Sequence, residues 1–338
     1  MRLEWLKLLN DLVYINSTIY VFVLYILCIS SLVCIVKEIW RIWRNHFSTS
    51  TMSKSPLDVI DKAAEEIYAV ITAELSEQVT KKYNEGQWTL LELDEWRNGE
   101  LPELIQKRGK EKDYHITKDE LVLIMDWKLA KGKFRPTLPK LIKSNLQEDV
   151  VSVTKAGFTM FMDFAQLTKG KWNDIALRDY QVAVKASLKK LCELKGVGPA
   201  TGSLLLSLLS KSTDFAAPFF SDEAFIYYIQ QPLRPGSPIK YNVKEYVDEF
   251  VGVLFNIVSD RPSTSMDKLE KGAWALKMYD TYRITKLASC KLPFDVEDSL
   301  LEKFPDTQKY QPEPDAKKRK SELTKPAKRA KTAKTNKN

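Results

Sequence analysis

Apolar residues recur at intervals of three and four along most of the chain, and this period predicts helices. It predicts one helix over 117–131, a second over 149–167, and two helices within 181–210 that are separated by a short turn. At this length the chain is large enough to bury a substantial core. We therefore expect an all-α, multi-helix globular domain over residues 52–310.

The pattern differs in residues 19–36, an 18-residue run without any charged side chain. A run of this length can span the core of a bilayer. The basic and tryptophan side chains between positions 37 and 44 then place the rest of the chain in the cytosol or nucleoplasm. A second interpretation stays open: Met52 opens a stretch typical of a soluble protein start, which would make residues 1–51 an extension of the gene model.

Two glycines and a proline mark the turn between the helices of 181–210. Gly196 can adopt the left-handed conformation that ends a helix without a Cβ penalty. Pro199 suits the first position of the next helix, where its missing N–H costs nothing. The backbone N–H groups around Gly198 lie at the positive end of that helix, unshielded by side chains. They predict a small anion site that suits a phosphate.

This turn resembles the helix-hairpin-helix motif, which grips the DNA backbone without reading sequence. The residues that match the motif are Leu194, Gly196, Val197, Gly198 and Thr201, while Gly202 replaces the usual alanine. The resemblance implies phosphate contacts by Lys195, Gly196, Val197, Gly198 and Thr201. An ordinary helical hairpin with a tight glycine turn remains the alternative.

Asp222 lies 24 residues beyond Gly198, which is where the DNA glycosylases of this superfamily place a catalytic aspartate. The resemblance implies that Asp222 stabilises positive charge on a sugar, or activates water, in a pocket for a flipped nucleotide. Aromatic residues nearby are candidates for the pocket wall: Phe219, Phe220, Phe225, Tyr227 and Tyr228. Members that also cleave the strand carry a lysine where this chain has Ala200, so a lyase is not expected. Alternatively, Asp222 only caps a helix.

A basic segment follows the helix over 117–131, in which Thr117 and Glu120 have the spacing of a capping box. Between Asp126 and Lys143 there are six cations and one acid. A solvated face with its aromatics in the core is one interpretation. The other is a loop that touches a nucleic-acid backbone or an unstacked base, with these candidate contacts: Trp127, Lys128, Lys131, Lys133 and Arg135.

This segment, the glycine turn and the Asp222 region together also resemble a set of uncharacterised fungal and animal proteins, a resemblance that implies no activity.

The net charge of +8 is concentrated at the C-terminus. Residues 316–338 hold ten Lys or Arg and one acid, which gives +9, so the other 315 residues sum to −1. We expect residues 311–338 to be a disordered basic tail. Two basic clusters in it are typical of a nuclear import signal: Lys317, Lys318, Arg319 and Lys320, then Lys328 and Arg329.

The two histidines and four cysteines lack zinc-ligand spacing, and we predict neither a metal nor a cofactor.

Three functions are consistent with these patterns. The first is a nuclear, sequence-nonspecific DNA-binding protein that holds duplex or damaged DNA by the hairpin and meets a nuclear import receptor. The second is a monofunctional base-excision glycosylase with Asp222 as the catalytic carboxylate. The third is a membrane-tethered helical adaptor without DNA activity. If the span at 19–36 is real, the basic tail favours the inner nuclear membrane.

Overall fold

The computed structural model describes residues 56–168, 170–231 and 235–296, which are mostly helical and include no strand. The predicted all-α fold is therefore confirmed for this part of the chain. Residues 1–51 with their apolar run at 19–36, and the basic tail at 311–338, lie outside the described residues. Within the described ranges, no helix combines the length and the apolar character that a bilayer crossing requires.

The first half of the described chain builds one side of the domain. Its α-helices are α1 (Pro56–Lys62), α2 (Tyr68–Glu77), α3 (Leu90–Asn98), α4 (Glu100–Gly109), α5 (Lys118–Lys131) and α6 (Leu138–Lys143). A π-helical turn over Ala63–Ile67 joins α1 to α2.

The second half begins with the longest described helix. Its α-helices are α7 (Gln147–Leu167), α8 (Leu177–Leu191), α9 (Pro199–Ser207), α10 (Asp222–Phe225), α11 (Val251–Asp260) and α12 (Met266–Tyr282). Short 3₁₀ turns cover Trp172–Asp174 and Leu208–Lys211. Segments of π-helix extend α10 over Ile226–Gln230 and precede α11 over Lys244–Phe250.

The predicted helix over 117–131 is confirmed as α5, and its capping box is formed. The Glu120 N–H donates to Thr117 Oγ1 at 3.2 Å, and the Thr117 N–H donates to Glu120 Oε2 at 2.7 Å. Two otherwise unpaired donors are thereby satisfied at the helix start. The predicted helix over 149–167 is also present, and it begins two residues earlier, at Gln147.

The core lies between two helix pairs. Helix α7 packs along α8, and α12 packs against α1 and the π-helical turn that follows it. Aromatic side chains fill the space beside α8: the Trp172 ring centroid lies 5.4 Å from that of Tyr180 and 5.5 Å from that of Phe255. The buried Tyr180 hydroxyl donates to the Phe215 carbonyl oxygen at 2.9 Å, so its polar atom is not left without a partner. This packing anchors the first turn of α8, and the candidate site begins beyond the other end of that helix, at Leu191.

Candidate functional site

The glycine turn between α8 and α9 has the backbone that the sequence predicts. Gly196 has φ of +80°, in the left-handed region that favours glycine. A Cβ at this position would lie 3.0 Å from Leu141 Cβ, so space as well as conformation restricts the residue. Pro199 is the first residue of α9, as predicted. Helix α8 spans Leu177–Leu191, and the second helix continues past Ser207 as a 3₁₀ turn.

A buried asparagine ties this turn to the segment between α6 and α7. Asn145 Nδ2 donates to the Lys195 carbonyl oxygen at 2.9 Å, and Asn145 Oδ1 accepts from the Lys195 N–H at 2.8 Å. Sequence reasoning missed this contact. Its one signal is an asparagine just after a helix, which indicates a local turn rather than a partner 50 residues away.

Gly202, the position where the motif usually has alanine, allows α9 to approach α8 closely. A Cβ there would lie 2.6 Å from Leu188 Cδ1, a distance at which the Leu188 side chain or one of the two helices must shift. The departure from the motif thus has a packing reason. The side chain of Thr201, which matches the motif, is buried beside it.

Several backbone donors of the turn have no protein partner. Among the hydrogen bonds of the described residues, none uses the N–H of Gly196, Gly198 or Ala200. Gly198 is exposed, and a Cβ added to it would meet no atom within 4 Å. N–H groups that converge at a helix N-terminus without side-chain cover favour an anion.

The turn forms one wall of a pocket of about 370 Å³. The end of α5 with the loop after it forms a second wall, and the start of α10 forms a third. Most of the predicted site residues line this pocket: Trp127, Lys128, Lys131, Lys133, Arg135, Gly196, Gly198, Thr201 and Asp222. Of the other two predicted site residues in the described part of the chain, Lys195 is exposed outside the pocket and Val197 is buried in the core. Three sequence signals that were separate in the chain therefore meet at one place.

Asp222 is the first residue of α10. The Ser221 hydroxyl caps this helix by accepting from the Ala224 N–H, so the capping role falls to Ser221 rather than to Asp222. The Tyr241 hydroxyl donates to Asp222 Oδ2 at 2.7 Å. The Arg135 guanidinium lies 5.4 Å from the Tyr241 ring centroid. The Asp222 carboxylate therefore lines the same pocket as the cationic side chains of the loop after α5.

Two further carboxyl groups line the same pocket. Burial, reinforced by the neighbouring Asp222, raises the pKa of Glu223 to about 8. Burial likewise raises the pKa of Glu270 to about 7, although the Ser221 hydroxyl donates to Glu270 Oε1 at 2.5 Å and opposes the rise. At neutral pH Glu223 is therefore largely protonated and can donate a hydrogen bond, whereas Glu270 is protonated in part. Neither residue stands out in the sequence, since Glu223 is an acid in the first turn of a helix, which is common, and Glu270 is a single acid within α12.

Beneath the pocket lies a buried polar cluster, which we call the floor: Tyr68, Asp94, Trp127, Lys131 and Trp274. Asp94 Oδ1 accepts from Lys131 Nζ at 2.9 Å, from Trp127 Nε1 at 2.7 Å and from the Tyr68 hydroxyl at 2.8 Å. Burial alone raises the pKa of Asp94, but the Lys131 ammonium and these donors outweigh it and hold the pKa below its usual value. The ammonium also lies 3.8 Å from the Trp274 ring centroid.

The predicted cations therefore fall into two environments. Lys131 belongs to the floor, where its charge is already neutralised by Asp94. Lys133 and Arg135 are exposed in the loop after α5. We call this loop, Gly132–Pro136, together with the turn Leu194–Pro199, the mouth of the pocket. Phe134 lies in the mouth with 63% of its surface exposed, whereas Trp127 is buried in the floor.

The aromatic wall matches the sequence prediction only in part. Phe219 and Phe220 line the pocket, with the Phe219 ring centroid 5.7 Å from that of Trp127. Phe225, Tyr227 and Tyr228 lie outside the pocket lining, and the Phe225 and Tyr228 rings pack near Phe250 in the core. Sequence reasoning missed three aromatic residues that take their place: Tyr68, Tyr241 and Trp274.

Comparison of the chain with models of protein families, with curated proteins and with solved structures found no match to any of them.

Proposed function

We propose that this protein binds the backbone of DNA through the glycine turn and takes a flipped nucleotide into the adjacent pocket, where Asp222 assists cleavage of the base–sugar bond. The observation that carries the proposal is the shared pocket. Asp222 and the unpartnered N–H groups of the turn line one cavity of about 370 Å³, a volume within the range of small-molecule sites.

The mouth supplies the contacts that hold a phosphate. Gly196, Gly198 and Ala200 line the cavity, and among the described residues their N–H groups have no hydrogen-bond partner. Lys133 and Arg135 line the same cavity, and both are exposed. Fixed backbone dipoles and two mobile cations recognise a phosphate without reading a base.

The interior supplies the contacts for a base and a sugar. Aromatic rings on the wall can stack with an unstacked base. The Asp222 carboxylate, held by the Tyr241 hydroxyl, can stabilise the positive charge that develops on the sugar as the base leaves. Glu223, with its raised pKa, can donate a proton or a hydrogen bond to that leaving base.

The test is base excision by the full-length protein. Duplexes that carry one modified base each are incubated with wild type, Asp222→Asn and the exposed control Asp248→Asn, and the released base is quantified by chromatography. We expect Asp222→Asn to lower the excision rate by about 10²–10⁴-fold, while Asp248→Asn matches wild type. Equal excision by wild type and Asp222→Asn would remove Asp222 from the chemistry.

A second candidate function is DNA binding without chemistry. It is favoured by the hydrogen bond between Tyr241 and Asp222 at 2.7 Å, which gives the carboxylate a structural task in positioning the loop around Tyr241. In this case wild type binds duplex DNA in a salt-dependent manner but releases no base from any substrate. Gly198→Val then weakens binding, because the new side chain covers the N–H groups of the turn.

The basic clusters at 317–320 and 328–329 lie outside the described residues. We propose from their sequence that they direct nuclear import and add a diffuse attraction to DNA. Imaging of the full-length protein and of a variant with both clusters changed to Gln tests the import role.

A further inference from the structure

The glycine turn meets α6 outside the pocket, and this junction contains a predicted site residue that the pocket leaves out. Lys195 is exposed there, and Asn145, two residues after α6, binds both the N–H and the carbonyl oxygen of its backbone. Leu141 and Ile142 of α6 occupy the space beside Gly196. The turn and α6 therefore form one continuous face. We call the exposed side chains along this junction the α6 surface: Lys140, Leu141, Lys143, Leu146 and Lys195.

The α6 surface is positively charged. Residues 128–147 include six Lys or Arg and no acid. Within the described part of the chain, the ammonium groups of Lys140, Lys143 and Lys195 have neither a hydrogen-bond nor an ion-pair partner. Glu193, the acid nearest to Lys195 in the chain, is already held in an ion pair of 2.7 Å. Exposed and unpaired cations of this kind attract a polyanion.

Two leucines of the α6 surface are exposed between these cations. Leu141 has 43% of its surface exposed and Leu146 has 62%. Leu146 is also the N-cap residue of α7, where its side chain accepts no hydrogen bond from the first turn. A serine, threonine, aspartate or asparagine at this position would cap the helix and stabilise it. The leucine thus gives up helix stability without burying apolar surface, which indicates that it contacts a ligand.

We propose that the α6 surface binds unpaired nucleotides, so that the protein prefers DNA with a single-stranded segment to continuous duplex. Lysines contact the phosphates of such a strand, while Leu141 and Leu146 contact the faces of its bases. A duplex keeps those faces stacked inside and presents mainly phosphates and groove edges. The exposed Phe134 of the mouth can stack with a further unpaired base.

Continuity with the glycine turn favours a nucleic-acid strand over an acidic peptide. The free N–H groups of Gly196 and Gly198 suit a phosphate, and one strand can cover both the turn and the α6 surface. The inference rests on the proposed function in this respect alone, since it needs phosphate binding by the turn but no chemistry at Asp222.

The experiment measures the affinity of the full-length protein by fluorescence anisotropy for two DNAs with the same number of nucleotides. One is a continuous duplex, and the other is a shorter duplex with a single-stranded overhang. We expect wild type to bind the overhang DNA about tenfold more tightly, since contacts to unpaired bases are added.

Leu146→Ser should lower the affinity for the overhang DNA by about tenfold and leave the affinity for the duplex unchanged. Its melting temperature should equal or exceed that of wild type, because serine caps α7, so unfolding cannot explain the loss. The matched control is Leu167→Ser, at the opposite end of α7, where the leucine is 85% exposed. This control should bind both DNAs as wild type does.

Equal affinity of wild type for the two DNAs, or undiminished overhang binding by Leu146→Ser, would overturn the proposal. So would a polyglutamate peptide that binds as tightly as the overhang DNA and is weakened equally by Leu146→Ser, since the surface would then dock a protein. Duplex binding that Gly198→Ala weakens, without any preference for the overhang, removes the α6 surface and keeps the turn as a DNA contact. A preference for the overhang without base excision keeps the α6 surface and removes the glycosylase.

Discussion

The mouth and the floor of the pocket each contain a lysine and an aromatic residue, but these side chains are exposed in the mouth and buried in the floor. In the floor, the Lys131 charge is paired with Asp94, and Asp94 also accepts from two aromatic side chains. In the mouth, Lys133 is exposed without a protein partner among the described residues, and the N–H groups of Gly196 and Gly198 are equally unpaired. Burial separates the two regions.

This difference indicates which region stabilises the fold and which region binds a ligand. A buried charge must be neutralised within the protein, because it cannot be solvated by water. An exposed cation or N–H group has no such requirement and can exchange water for a ligand at little cost. We therefore expect changes in the floor to alter the free energy of unfolding and changes in the mouth to alter DNA binding.

The largest effect is expected from Asp94→Asn in the floor. The Lys131 ammonium then stays buried without a counter-charge, which should lower the free energy of unfolding by about 3–5 kcal/mol. Urea denaturation followed by circular dichroism measures it. The control is Asp126→Asn, which breaks an ion pair with the exposed Lys81 and should cost less than about 1 kcal/mol. Equal losses of unfolding free energy in the two variants would contradict a larger contribution of the buried ion pair in the floor than of the exposed one.

The next largest effect is expected in the change of the free energy of unfolding with pH. Glu223 and Glu270 have folded-state pKa values of about 8 and about 7, above their ordinary values. The folded state therefore binds more protons than the unfolded state, and stability falls as pH rises from about 5 through these values. Urea midpoints between pH 5 and 9 should decrease for wild type and decrease less for Glu223→Gln. The exposed control Glu148→Gln should follow wild type, and a flat wild-type profile would argue against buried protonated acids.

Substitutions at the two glycines of the mouth should distinguish an effect on stability from an effect on DNA affinity. Gly196→Ala forces a Cβ into the left-handed region and against Leu141, which should cost about 1–2 kcal/mol of stability. Gly198→Ala has an ordinary φ of −102° and open space around its new Cβ, so its stability should match wild type. Thermal melting compares the two. DNA affinity measured by fluorescence anisotropy should fall in both variants, and unchanged affinity in Gly198→Ala would exclude the turn as a phosphate site.

The smallest effect is expected from Lys133→Gln, which removes one exposed cation from the mouth. If Lys133 contacts one phosphate, the slope of log affinity against log salt should become shallower by about 0.9. The melting temperature should not change. Lys110→Gln, another exposed lysine beyond the end of α4, is the matched control and should keep the wild-type slope. Identical slopes for both variants would place Lys133 away from the DNA backbone.

Local features of the site were predictable because neighbours in the chain produce them. The capping box of Thr117 and Glu120, the left-handed Gly196 and the helical start at Pro199 depend on contacts within a few residues. Contacts between distant segments were not predictable in this way. Asn145 reaches Lys195 across 50 positions, and Tyr241 reaches Asp222 across a loop, and neither pairing leaves a periodic signal in the sequence.

The same limit applied to the function of single residues. The two lysines in the last turn of α5 are equivalent in the sequence, yet Lys131 is part of the floor, while the Lys128 ammonium lines the pocket without a hydrogen bond or ion pair among the described residues. A spacing of three residues directs the Lys131 side chain toward Asp94 of α3 and leaves Lys128 outside that pair, and only the packed helices decide which partner each lysine meets.

The all-α class, the stiff turn at Gly196 and the position of Asp222 near a helix start could be predicted from the sequence, since hydrophobic period and backbone preferences are local properties. The pocket that the turn, the end of α5 and Asp222 line together, and the raised pKa values of Glu223 and Glu270, result from the packing of distant segments. Enclosure and pKa depend on what surrounds a group in space, and burial by distant segments sets both.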